Sequence, residues 1–408
     1  MDKSKTARTA FLGWTAAGGP GGVRWLDHAA TTPRLACAVA AERAFYERTN
    51  ANPGRGLHRL GVAATAALEE AREVVRTFAG DRGKTGIIVF VRGTTEALNL
   101  VANAAGTKDE IWVGGAEHHS NLLPWFRGGR TVHVIPLTAA GDLDVGALAE
   151  GLRTGRGKGR KWVAFAAVSN VMGRLQDVAA ICRVARAAGA KTVVDAAQVA
   201  FHGALQAEAW GCDFLAFSGH KMGGPMGIGA LWGRTEALEE LPPLMVGGEM
   251  VVDVEEEGCA MELAEVPARL EAGTVNAAGA AGLAAAAQWV AQCPAETHRR
   301  VAELAQEAAR QLAAIKGVRV LGGAEEGGRR GVRTSLVTFT VDGVHAHDVA
   351  QWLDGEGIAV RGGRLCAHPV LARLGVTAAT RASFGPVNDE SDVAALVAAV
   401  RRAQEALR

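Results

Sequence analysis

An apolar run, Phe214-Leu215-Ala216-Phe217, ends in Ser218-Gly219-His220-Lys221 and continues into the glycine-rich stretch Gly223-Gly224-Pro225-Met226-Gly227-Ile228-Gly229. A lysine at the end of a buried strand stands where open α/β sheets bind their ligands. Among apolar neighbours its amine sheds a proton readily and can attack a carbonyl, as Schiff-base lysines do. A solvated lysine closing a strand would look the same in isolation, so its partners must decide.

Other strand ends supply candidates. After Ile87 to Val91 comes Arg92-Gly93-Thr94-Thr95-Glu96-Ala97-Leu98-Asn99, a tight turn that opens a helix. Its free N–H groups and two hydroxyls suit an anion, although an ordinary helix cap reads alike. After Thr192 to Val194 comes Asp195, with Gln198 one helical turn on, and Asn170 follows Val168-Ser169 in the same way. A buried strand-end aspartate needs a cation or several donors. It is either a structural cap or the partner of the pyridine nitrogen of pyridoxal phosphate, whose ring then serves as an electron sink. In Glu117-His118-His119-Ser120-Asn121 the adjacent histidines suggest a metal. On an extended segment, however, neighbours face opposite ways, and an imidazole stacked on a cofactor ring suits the pattern equally. His345 and His347 read as solvated or structural, with no third ligand near them in sequence.

The last motif is Val360-Arg361-Gly362-Gly363-Arg364-Leu365-Cys366-Ala367-His368-Pro369. Cys366 sits in a glycine-rich turn beside two arginines, a setting that favours thiolate. Cys37, Cys182, Cys212, Cys259 and Cys293 read as small core hydrophobes. Arg381, in Thr380-Arg381-Ala382-Ser383-Phe384, has the fork that grips a carboxylate bidentately. A lysine, an anion cup, a strand-end aspartate and a stackable histidine are the parts a pyridoxal-phosphate enzyme needs.

To hold these parts, short apolar runs (Ile87 to Val91, Ile111 to Val113, Val132 to Pro136, Trp162 to Val168, Thr192 to Val194, Phe214 to Phe217) alternate with Ala-rich helical stretches. Continuous apolar strands alternating with helices predict a mainly parallel sheet covered on both faces. Beyond a helix over Ala277 to Gln292, another over Glu296 to Ala314 precedes Val318 to Leu321, Ser335 to Val341 and Ile358 to Arg361, the pattern of a smaller α+β domain. The expected division is a large cofactor-binding domain over 26–289, with 1–25 plus 290–408 forming the small domain that carries the cysteine loop.

Composition narrows the classes further. Of 408 residues, 44 are Lys or Arg and 43 are Asp or Glu, so nucleic-acid binding has no electrostatic support. The six cysteines include no C-x-x-C pair, which fits a reducing compartment and argues against a disulfide framework or a cysteine zinc site. No apolar run approaches a membrane span. Lys3, Lys5 and Arg8 before Phe11-Leu12-Gly13-Trp14 only faintly suggest a signal peptide, so the expectation is an N-terminal arm on a cytoplasmic protein. Gly227, Gly229 and Gly233 follow the lysine loop instead of opening a helix, which disfavours a nicotinamide dehydrogenase.

In order along nearly the whole chain, these segments resemble the class V, fold-type I pyridoxal-phosphate enzymes, specifically the SUF-type (group II) cysteine desulfurases and their selenocysteine lyase relatives. The resemblance also takes in Leu26-Asp27-His28-Ala29-Ala30-Thr31-Thr32-Pro33, Asn52 to His58, Gly247-Gly248-Glu249-Met250 and Glu271-Ala272-Gly273-Thr274. It implies an aspartate-aminotransferase-like α/β fold. Lys221 would form the Schiff base with the cofactor, Asp195 would pair with its ring nitrogen and His118 would stack on the ring. Gln198 and Asn170 would contact the ring oxygen. Thr94, Thr95, Ser218 and His220 would hold the phosphate, with Thr274 reaching it from the other subunit of a homodimer. Arg381 and Arg361 would bind the substrate carboxylate, and Cys366 would take sulfur from L-cysteine as a persulfide and leave alanine. The compact cysteine loop implies handover to a sulfur-acceptor protein, for iron–sulfur cluster or thio-cofactor assembly. A selenocysteine lyase, an amino-acid epimerase and a weak sulfur-transfer scaffold are the alternatives. An epimerase would have no use for Cys366, and intact Lys221, Asp195, His118 and Cys366 speak against a scaffold. The chain departs from the family at Arg364-Leu365, where two histidines are frequent, at Gly54 and at Met226. These positions are expected around the substrate mouth or phosphate edge, with Arg364 taking over a histidine's part in keeping Cys366 ionised.

Overall fold

Strands buried on both faces cannot alternate polar and apolar residues, and those of the main sheet do not. In the computed structural model, which describes residues 7–15, 18–155, 157–203, 205–255, 260–322 and 334–407, this sheet has seven strands. They are β1 (Gly86–Val91), β2 (Glu110–Gly114), β3 (Thr131–Ile135), β4 (Lys161–Ala166), β5 (Lys191–Asp195), β6 (Phe214–Ser218) and β7 (Gly229–Arg234). The order across the sheet is β1-β7-β6-β5-β4-β2-β3, and every pairing is parallel except the two that β7 makes. The antiparallel β7 was not anticipated. Its opening glycine hid it in the loop after Lys221, yet a Cβ at Gly229 would lie 2.6 Å from the Gly93 Cα, so close approach requires glycine there.

One face is covered by helices Ala36–Arg48, Arg59–Phe78 and Ala277–Gln292, the last with ten buried residues and hence apolar around most of its circumference. Helix Thr94–Asn103 packs on the other face. A second sheet of four antiparallel strands, β8 (Val318–Val320), β9 (Leu336–Val341), β10 (Arg361–Gly363) and β11 (Ala379–Ser383), runs in the order β8-β9-β11-β10 over its own apolar core. The run read as one strand over Ile358 to Arg361 is divided: Ile358–Ala359 pairs with Arg24–Trp25, and β10 starts beyond Val360 to pair with β11. The N-terminal arm serves both units. Phe11 packs edge-on against Phe201 and Trp289, while Arg8 reaches Asp389 at 2.7 Å. Lys3, Lys5 and Cys259 lie outside the described residues.

Two cysteine assignments need correction. Cys182 and Cys212 are buried as expected, but Cys37 is exposed and Cys293 half-buried. Cys37 lies in the first turn of its helix between the fully buried Leu35 and Ala38, on the side turned away from the core, and Cys293 directly follows the last residue of another helix. No described helix is long and apolar enough to cross a membrane.

Candidate active site

At the carboxyl ends of β1, β4, β5 and β6, a cavity of about 340 Å³ opens toward the four-stranded sheet. It is lined by Thr94, Thr95, His118, Asn170, Asp195, Gln198, Ser218, His220, Lys221, Arg361, Cys366 and Arg381. Every sequence-designated site residue except Thr274 therefore meets in one place. Thr274 lines a separate cavity of about 180 Å³ with Gly54, Glu249 and Glu271. Its segment is pinned to β1: Glu271 takes Arg72 bidentately at 2.7 and 3.0 Å and accepts the Phe90 amide at 2.6 Å. Of the family departures, Leu365 lines the main cavity and Arg364 is exposed beside it, whereas Gly54 and Met226 lie away from it within the protomer.

The anion cup forms where β1 and β6, which flank β7, both end level with Gly229. Ser218 Oγ accepts the Thr94 amide at 2.8 Å and lies 2.7 Å from Thr94 Oγ1. Gly93, with φ 156°, permits the turn, and a Cβ there would lie 3.2 Å from the Ser218 hydroxyl. Thr95 Oγ1 is 2.8 Å from Ser120 Oγ, a cavity residue that sequence reasoning passed over.

Asp195 ends β5, buried, with a hydrogen bond from the Ala197 amide (2.9 Å) and no ion pair among the described residues. Burial raises its carboxyl above the ordinary range while Lys221 pulls the other way. Lys221 is lowered mainly by desolvation, with Asp195 opposing, so its amine gives up its proton more easily than a surface lysine. The backbone of its turn is clamped by a segment that carried no assigned role. Thr32 donates to the Lys221 carbonyl (2.9 Å), and Thr31 and Arg34 donate to that of His220 (3.2 and 3.0 Å).

His118 caps a short turn, its Nδ1 accepting the Ser120 amide at 3.1 Å. Burial, then the charges of Lys221, His119 and Arg381, lower it to about 4, so it is a neutral ring at neutral pH. His220 is likewise lowered to about 4, by burial and then by Lys221 and Arg34. Gln198 donates to the Ala29 carbonyl at 2.9 Å. Among the described residues no group of three or more His, Cys, Asp or Glu is placed to hold a metal ion.

Arg381 is buried, donating to the Asn170 carbonyl (3.0 Å) and to Asp27 (3.4 Å), and its Nε has no partner. Arg361 grips the other Asp27 oxygen at 2.7 and 3.1 Å. An unpartnered buried donor is costly, and here it adjoins a cavity wall. Asp27, which joins the two arginines, was not singled out from sequence because its partners lie more than 330 residues away.

Cys366 is exposed at the rim, between the buried Leu365 and Ala367. Leu365 and Cys366 have φ of 52° and 50°, a left-handed pair of non-glycine residues that persists only when its surroundings fix it. Cys366 lines the same cavity as Lys221 and Arg381, so the thiol belongs to the same site.

The aminotransferase class-V family matches residues 24–396, and the chain belongs to that family of pyridoxal-phosphate enzymes. Its relatives include a probable cysteine desulfurase of Halalkalibacterium halodurans, 39% identical over 391 residues and 93% of either chain. Another, from Vibrio cholerae, is 38% identical over 94% of either chain. Among solved structures, the cysteine desulfurase CsdA of Escherichia coli superimposes with a TM-score of 0.85 at 39% identity over 98% of each chain. The apo cysteine desulfurase of Thermococcus onnurineus gives 0.84 at 35% identity, over 94% of this chain and 95% of that one. The residues present fit the cofactor: a buried carboxylate with no ion pair among the described residues, an unpartnered Asn170 Oδ1 and the hydroxyls of Thr94, Thr95 and Ser218 at the cavity wall.

Proposed function

We propose that this chain is a cysteine desulfurase that converts L-cysteine to L-alanine and takes the sulfur onto Cys366 as a persulfide. The observation that carries the reading is an exposed thiol sharing one cavity with a strand-end lysine, a buried aspartate and a buried arginine with a spare donor.

Asp195 would hold the ring nitrogen of pyridoxal phosphate, His118 would lie against the ring, and Gln198 and Asn170 would serve its oxygen. Thr94, Thr95, Ser218 and His220 would cradle the phosphate, joined by the partner subunit's Thr274. When bound, the cofactor supplies an electron sink for the pair left as the substrate Cα–H bond breaks. Arg381, with Arg361, receives the substrate carboxylate and aims Cα at Lys221. The Lys221 amine, poorly solvated, takes and returns the Cα proton. The Cys366 thiolate attacks the substrate sulfur. An S–S bond forms as the C–S bond breaks, the electron pair of that bond stays with the carbon fragment, and protonation releases L-alanine.

The reading includes a homodimer. Leu57, Met226 and Val246 are 96%, 66% and 67% exposed. Leu57 lies close to Gly54 in sequence, and Val246 lies near Gly248, whose carbonyl accepts the Gly273 amide beside Thr274. A second copy covering these side chains would bring Thr274 toward the other subunit's cup. A sulfur-acceptor protein docking at the rim, service to iron–sulfur cluster or thio-cofactor assembly, and a cytoplasmic location complete the reading. The free cysteines among the described residues support the location.

Purified protein with pyridoxal phosphate should show a visible band that Lys221→Ala abolishes, and should form alanine and protein-bound persulfide from L-cysteine. Alanine and sulfide released by Cys366→Ser as fast as by the wild type would reject the persulfide route.

A further inference from the structure

His119 does not line the cavity, and its neighbour His118 does. It turns instead toward the cysteine loop, which it meets twice. Its backbone N–H donates to the Cys366 carbonyl at 2.8 Å, and its Nε2 accepts the His368 amide at 3.2 Å. The imidazoles of His119 and His368 also meet edge to face, with centroids 4.5 Å apart. Asn170 also holds the loop, its side-chain amide donating to the Leu365 carbonyl at 2.8 Å, and the Ala367 amide closes the turn onto the Arg364 carbonyl at 3.0 Å.

This arrangement matters because Leu365 and Cys366 are both left-handed, with no glycine to relieve them. Backbone in that region relaxes unless its carbonyls and amides are tied. Two of the ties to the rest of the protein run through His119, one from its backbone N–H and one to its side chain. Nε2 can accept only while it carries no proton, and burial together with His368 lowers His119 below the ordinary imidazole value.

We propose that His119 is a positioning residue for the sulfur-accepting step: it clamps the loop so that the Cys366 thiol stays over the cavity. The adjacent histidines thus divide the work, with His118 at the cofactor side and His119 at the thiol side. The proposal rests on the reading of Cys366 as the sulfur acceptor.

The test compares His119→Ala and His119→Gln in the cofactor-loaded protein, since a glutamine Oε1 can still accept the His368 amide. Hydrogen exchange at the His368 amide, followed by mass spectrometry, should be at least tenfold faster in His119→Ala and near wild type in His119→Gln. Alanine formation from L-cysteine should fall at least tenfold in His119→Ala and recover in His119→Gln. Solvent exchange of the Cα proton of L-alanine, which needs Lys221 but no thiol, should stay within twofold. An unchanged His368 amide, or equal loss of Cα exchange and alanine formation, would overturn the clamp. A wild type that forms no alanine from L-cysteine would instead defeat the desulfurase reading, and amide exchange would still decide whether His119 holds the loop.

Discussion

The hydroxyls of Thr94 and Ser218 lie 2.7 Å apart, although one opens a helix and the other ends a strand 124 residues away in sequence. Ser218 also accepts the Thr94 amide, so the cup is preorganised by its own side chains before any phosphate enters. A hydrogen bond to a charged group contributes about 1.5–3 kcal/mol. Ser218→Ala should therefore weaken pyridoxal-phosphate binding about tenfold or more, as read by titrating the apo protein and following the visible band. Because the two hydroxyls touch, the loss in a Thr94→Val, Ser218→Ala double variant should be smaller than the sum of the single losses.

Arg381 should be irreplaceable by lysine. Its guanidinium divides its donors between the Asn170 carbonyl, Asp27 and a free Nε, and an ammonium offers no such planar fork. Arg381→Lys should raise KM for L-cysteine roughly tenfold or more with a smaller change in kcat, the mark of lost carboxylate binding. Inhibition by cysteamine, which has no carboxylate, should be nearly the same in both proteins. Equal weakening toward both compounds would assign Arg381 a role in overall site geometry.

His28 sets an acid limit on stability. It is 2% exposed and stacked on Phe201, and a Cβ at Gly385 would lie 2.4 Å from its ring. Burial first, then repulsion from His202, lowers it to about 3. Between the unfolded value near 6.5 and about 3, the unfolded chain binds a proton that the folded chain refuses. The contribution of neutral His28 is thus complete above pH 6.5 and is lost as pH falls toward 3, by roughly 2 kcal/mol at pH 5. Urea midpoints at pH 7 and pH 5 should show this loss in the wild type, with a smaller loss in His28→Asn.

Much of the site was legible because the main sheet's parallel strands are continuous apolar runs and their carboxyl ends carry the chemistry. Asp195, Ser218 and Lys221 could be placed on that basis alone. Residues that act through distant backbone were not legible. Thr31 and Arg34 support the lysine turn by donating to the His220 carbonyl, 189 and 186 residues away, and no local spacing encodes that. His119 was visible only as half of a pair, because its role depends on where the Cys366 loop returns. Strand β7 was missed for the reason that makes it possible, a glycine that lets the phosphate turn press against it. A typical strand signal requires the side chain whose absence the packing demands.

Glu117 should behave in the opposite sense to His28. Its buried carboxyl accepts the Ala166 amide (2.9 Å) and the Asn121 side chain (2.6 Å), and it forms no ion pair among the described residues. Burial outweighs those donors, Asp195 adds repulsion, and the group is pushed up to about 8. At pH 7 it is a neutral acid that ties the His118 segment to the end of β4. From about pH 4.5 to 8 the folded chain keeps a proton that the unfolded chain releases. Its contribution is therefore complete below pH 4.5 and is lost as pH rises through 8, at up to about 1.4 kcal/mol per pH unit. Glu117→Gln has no proton to lose, so its stability relative to the wild type should improve by roughly 3 kcal/mol between pH 5 and pH 8 in urea unfolding. A difference that stays constant over that range would mean that the folded protein holds Glu117 as a carboxylate. The Ala166 amide and Asn121 would then outweigh burial, and a fixed negative charge would stand behind Asp195.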